Sequence, residues 1–135
     1  MSGGKGNYIN NGLLNAVLNH AAMVALPSTV YVALFTANPT DAGGGTEVTG
    51  GSYARVAVVA NTTNFPTTTS ESISNATVIT FPNATASWGT VTGAAIFDAA
   101  TAGNLLYWAP LTTSQSVGIG VTAEFLANAL TFTEA

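Results

Sequence analysis

The chain has 135 residues, 47% of them hydrophobic and only 6% charged, with a formal net charge of −4. That length fits one domain with one core, and two cations, Lys5 and Arg55, against six acids cannot neutralise a row of phosphates, so nucleic acid is excluded as a direct partner. The absence of cysteine rules out a disulfide framework and a thiolate metal site, and no apolar run approaches the ~20 residues of a membrane span.

The opening MSGGKGNYINNG has no apolar signal-peptide core. From Tyr8 to about Ala22, a step of ~100° per residue gathers Ile9, Leu13, Leu14, Val17, Leu18 and Ala21 in one half-turn. Asn11, Asn15 and Asn19 stripe the opposite half. The spacing predicts an amphipathic helix with Asn7 as N-cap and Pro27 beyond its end. Its apolar arc, which includes His20, can pack on the chain's own strands or reach a neighbour.

After Pro27 the period changes to two. STVYVALFT, residues 28–36, places Val30, Val32 and Leu34 on one face and Tyr31, Ala33 and Phe35 on the other, which predicts a central strand covered on both sides. Residues 37–52 hold five glycines and no periodicity. So long a loop in a small domain suggests binding or docking. Strand patterns follow at 53–60, 73–81, 87–97, 105–111 and 119–133, the last broken or bulged near Asn128, and residues 61–71 form a second polar excursion. The expected fold is mainly β: one antiparallel sandwich or jelly-roll-like domain over residues 1–135 with one N-terminal helix.

Chemistry finds few candidates. His20 is the only histidine, no Gly-x-Ser-x-Gly elbow exists, and a histidine among Leu and Val reads as a hydrogen-bonded core residue. The acids Asp41, Glu47, Glu71, Asp98, Glu124 and Glu134 show no local pairing of the kind a glycosidase needs. Asp41 and Glu47 share the glycine-rich loop without the ligand alternation of a calcium loop; they read as a turn residue and a solvated one. Neither GGKG nor DAGGGTEVTGG opens a helix as a phosphate cradle does. Arg55 is expected to pair with a carboxylate across the sheet or at a subunit boundary. Asp98 begins DAATAGN between two strand patterns, where its side chain can accept backbone amide hydrogens two or three residues on while Gly103 and Asn104 tolerate positive φ. No catalytic, cofactor-binding or metal residues are therefore assigned. The sequons at Asn61, Asn75 and Asn83 are put down to chance in a chain with 12 Asn and 21 Thr. With 9 Ser, these residues give a polar but nearly uncharged surface in place of the ~25% charge of ordinary domains. Such a surface leaves a lone monomer prone to association, so part of the apolar excess is expected to be covered by other subunits.

YVALFTANPTDAGGGTEVTGGSYARVAV (31–58), TFPNATASWGTVTGAAIFDAATAGNLLYWAPL (80–111) and the helix NYINNGLLNAVL resemble a group of small tailed-bacteriophage virion proteins, variously described as tail fibre, minor structural or head decoration proteins. The resemblance spans nearly the whole chain and implies a virion component; it brings no catalytic motif. Within it, the first expectation is a capsid decoration or cement protein, a homo-oligomer such as a trimer seated on the major capsid protein. The alternative is a tail-fibre or receptor-binding module whose loops 37–52 and 61–71 touch a host glycan, with Phe65 as the only aromatic in those loops. An enzyme such as a wall-degrading hydrolase is the third reading and lacks clustered acids.

Overall fold

The computed structural model describes residues 3–134. Its main sheet is antiparallel and runs β1 (Gly4–Lys5), β8 (Leu105–Val117), β7 (Gly89–Phe97), β2 (Thr29–Ala37), β3 (Thr46–Glu47), with β4 (Val56–Val59) also paired to β2. Two antiparallel ribbons, β5 (Ser72–Ser74) with β10 (Thr131–Thr133) and β6 (Ile79–Thr80) with β9 (Glu124–Phe125), stand where a sandwich would have its second sheet. The fold is thus mainly β and sandwich-like, with one N-terminal helix, α1 (Asn7–Leu18).

Alternation along β2 decides where the cores lie. Val32 and Leu34 point into the larger core with Ala94, Ile96 and Leu106, closed from the other side by Ile79, Phe81 and Leu130 of the ribbon layer. Ala33 and Phe35 point the opposite way into a small second core with Ala95 and Leu105, flanked by Phe97 and Trp108. The prediction of a central strand apolar on both faces is borne out. A bulge helps β8 serve both cores: Ile96 pairs with Tyr107 and Phe97 with Leu105, so the intervening Leu106 is an extra residue and joins Tyr107 on the larger core.

Several predicted boundaries shift. The helix ends at Leu18 rather than Ala22, since His20 takes φ 55° and the Ala21 amide turns back to the Asn15 carbonyl at 3.1 Å. The N-cap is Gly6, without a side-chain cap; the Asn7 amide donates instead to the Asp41 carbonyl at 2.7 Å, which makes Asn7 the first helical residue. Strand 105–111 continues to Val117 after looping out residues 111–114 opposite Thr92, just past Pro110, which has no ladder donor.

The predicted strands 73–81 and 119–133 are each reduced to short pieces, and Asn75 is the reason. It is 1% exposed. Its amide nitrogen donates to the carbonyls of Thr77 (2.8 Å) and Leu126 (3.0 Å), and its amide oxygen accepts the Leu130 N–H at 2.9 Å. Its backbone also bonds Leu130 and Asn128. One side chain thus replaces the ladder bonds that a continuous pair of strands would have made, and Asn128 beside it takes φ 67°.

Candidate functional site

The long glycine-rich loop folds over the small second core and leaves a cleft of about 440 Å³. Its floor is Phe35 and Leu105; its walls are the loop from Pro39 to Glu47, the helix start at Asn7 and Tyr8, and the hairpin end at Phe97, Gly103 and Asn104. Gly43, Gly44 and Gly45 all have positive φ, between 74° and 95°. At Gly43 and Gly44 a side chain would meet nothing within 4 Å, so the rim is open and backbone amides can come close to a bound group.

Arg55 holds this site in shape. Its Nε and Nη2 donate to Glu47 Oε2 and Oε1 at 2.9 and 2.8 Å, a bidentate pair. Its Nη1 donates to the carbonyls of Ala99 and Ala102, both at 2.8 Å. The guanidinium lies 3.8 Å from the Phe97 ring centre, and Phe97 stacks on Phe35 at 6.2 Å. One side chain therefore joins the glycine-rich loop, the 98–104 hairpin and the cleft floor. The expected carboxylate partner is found within the chain. Glu47, expected to be solvated, is instead this partner, and it also accepts the Tyr53 hydroxyl at 2.7 Å. Tyr53 in turn accepts the Leu34 N–H at 3.0 Å.

Asp98 is the turn residue that the sequence suggested, with a longer reach: it accepts the Asn104 amide and the Asn104 side chain at 2.7 and 2.8 Å. The residues with positive φ are Ala102 and Gly103, so Ala102 rather than Asn104 shares that role. Asp41 ties the opposite wall, accepting the Trp108 indole N–H at 2.8 Å. Gly4 must lack a side chain here, because a Cβ would meet the Asp41 carboxylate and the Trp108 indole. His20 is an exposed residue at the chain reversal after α1, not a core residue; in the short arc after the last helical turn its side chain faces solvent. Phe65 is half-buried against the larger core, away from the cleft under the glycine-rich loop. Among the described residues no three His, Cys, Asp or Glu side chains group as metal ligands, and no helix is long and apolar enough to cross a membrane.

Two carboxylates are held low. Burial alone would raise the Glu47 carboxyl, but hydrogen bonds from Arg55 and Tyr53 and the Arg55 charge keep it below its ordinary 4.5. Glu134 behaves alike: its burial is outweighed by Lys5, at 2.8 Å, and by the Tyr107 hydroxyl, at 2.6 Å. Burial, reinforced by these same carboxylates, pushes the Tyr53 and Tyr107 phenols well above 10.0. Below the ordinary carboxylate value the unfolded chain binds more protons, so stability rises with pH there; above ~10 the folded chain keeps phenol protons that the unfolded chain loses, so stability falls. Urea midpoints measured against pH should form a plateau between about 5 and 10. Tyr53→Phe should extend the alkaline side; a flat profile above 10 in the parent would contradict the buried phenols.

A family model described as Podophage GP4 fiber I protein gp80 matches residues 4–133, which is every described element and both walls of the cleft. The chain belongs to this podophage fibre family. The resemblance to phage virion proteins is thereby borne out, and the protein is a fibre-type structural component of a virion. No individual curated protein matches the chain. The sequence pointed to the 37–52 loop as a docking element; it did not reveal Tyr8, Phe35, Asn7, Asn104 or Leu105 as its cleft partners, since they come from the helix, β2 and the far hairpin.

Proposed function

We propose that this chain is a non-enzymatic module of a tail fibre that touches host surface glycans through the cleft under the glycine-rich loop. The observation that carries the reading is the composition of that cleft: amide and carboxylate groups of Asn7, Asn104 and Asp41 beside the half-buried rings of Tyr8 and Phe97, under a rim of three glycines. Sugars need this mixture, because their hydroxyls want amide, carboxylate and backbone partners while their C–H faces want apolar surface. The volume is also in the range of small-ligand sites, about 300–1,000 Å³. Loops fixed on a rigid sheet are the usual place for such contacts.

The fibre description of the family supports this alternative over a decoration protein seated on the major capsid protein. A non-enzymatic role is supported by the uses found for the candidate groups: Asp98 closes a turn, Glu47 pairs with Arg55, and Asp41 holds Trp108. A glycan array and cell-adsorption assay with the isolated protein tests the reading. Ala42, exposed on the cleft wall, can be changed to Trp to fill the cleft without disturbing the core; Ala42→Trp should reduce binding by about tenfold or more while the melting temperature stays put. Unchanged binding by Ala42→Trp would move the contact elsewhere, and no glycan binding by the parent protein would end the proposal.

A further inference from the structure

The helix leaves most of its apolar arc uncovered. Ile9 is buried, and Gly12 is covered by Val24 of the returning segment, whose side chain leaves no room for a Cβ at Gly12. Leu13, Leu14, Val17 and Leu18 are 42%, 57%, 69% and 75% exposed, and Met23 and Leu26 of the returning segment add 38% and 62%. At ~100° per residue the four helical side chains span an arc of about 140° beside the anchored face. Together the six expose on the order of several hundred Å², mostly apolar, the size of the largest patch on a typical monomer. Each partner in a standard interface contributes about 800 Å², so this surface supplies a substantial part of one side.

What covers it is indicated by the chemistry of its border. The helix NYINNGLLNAVL contains no charged residue, so two copies brought face to face meet no like-charge repulsion and offer nothing to attract an acidic or basic partner. The polar flank is Asn11, Asn15 and Asn19. An amide both donates and accepts, so a row of Asn is complementary to an identical row; a row of acids or bases would not be. The Asn19 amide nitrogen already donates to Asn15 Oδ1 at 3.0 Å, which leaves the Asn15 amide nitrogen and the Asn19 carbonyl directed away from that bond. We infer that the exposed face of α1 is a self-association surface, on which helices of two or more copies of this chain pack about a symmetry axis with leucines inside and asparagines at the rim. This contact is separate from whatever the cleft binds.

The chain has no cysteine, so the surface can be mapped by single introduced thiols in the full-length protein. Leu14→Cys, 57% exposed, should give a disulfide-linked dimer under mild oxidation, whereas Ile119→Cys, more exposed at 75% on the turn after β8, should stay monomeric at the same concentration. In sedimentation equilibrium, Leu14→Asn with Leu18→Asn should weaken association at least tenfold without changing the circular dichroism spectrum, because both positions are exposed. A parent protein that stays monomeric at high concentration, a double variant that associates as tightly as the parent, or equal cross-linking at residues 14 and 119 would each overturn the inference.

Discussion

Replacing Arg55 by alanine is expected to lower the unfolding free energy by on the order of 3 kcal/mol, the loss typical of removing one member of a largely buried ion pair. The Arg55 side chain is 7% exposed and Glu47 24%, so the orphaned carboxylate stays only partly hydrated. Two further losses act in the same direction: the Ala99 and Ala102 carbonyls lose a charged donor, and Phe97 loses the cation above its ring. Arg55→Lys keeps the charge but not the fork that reaches Glu47 and the hairpin together, and should recover less than half of the loss. Urea titration gives the magnitude. Hydrogen exchange gives the location, with the amides of residues 98–104 expected to lose protection first. An Arg55→Ala protein as stable as the parent would mean that the hairpin and the glycine-rich loop are held by something else.

At Asn75, alanine is expected to cost about 3 kcal/mol as well, for a different reason. The Leu130 amide would lie buried without an acceptor, and unsatisfied buried polar groups cost roughly 1–3 kcal/mol each. The Thr77 carbonyl would also lose its side-chain donor, and the Leu126 carbonyl, which keeps the Ala129 N–H, one of its two. Asn75→Asp is the sharper test because the shape is kept. The new carboxylate still accepts the Leu130 N–H but turns an oxygen toward two carbonyls. Its folded-state pKa must therefore lie above the unfolded one, so the folded chain binds more protons and the penalty relative to the parent shrinks as pH falls. Chemical denaturation of both proteins at several pH values checks this. Equal penalties at pH 4 and pH 7 would show that the side-chain amide nitrogen has no carbonyl partners.

The contrast between β2 and the 119–133 segment shows how much of the fold was legible in the residues. In TVYVALFTA every second side chain is apolar on each face, and the strand, its central place and its two cores follow from periodicity alone. In 119–133 the pattern was equally strand-like, yet only Glu124–Phe125 and Thr131–Thr133 pair. The bonds that break it come from Asn75, some fifty residues earlier, and nothing in a local window carries that information. The helix repeats the lesson at its end. Its apolar arc was visible, but Gly12 carried no signal that Val24 would dock there, and this close approach accompanies the chain reversal that leaves Leu14 and Leu18 exposed.

The candidate site was half legible. Glycines 43–45 marked the loop and Arg55 stood out as a cation in a β-rich segment, so its pairing with a carboxylate followed from the cost of burying a lone charge. That the carboxylate is Glu47 did not follow, since solvation and pairing look the same in sequence. The cleft floor was hidden for a topological reason. Phe35 and Leu105 come together because β2, β7 and β8 are neighbours in the sheet, an order that hairpin lengths alone do not fix.

Reconstruction of the intact virion, with this chain fitted into the map, tests the central claim most directly. The account predicts the chain in fibres on the tail, with the glycine-rich loop and its cleft facing outward and α1 against α1 of a neighbouring copy. Copies spread over the shell with the cleft seated on the capsid lattice would contradict it.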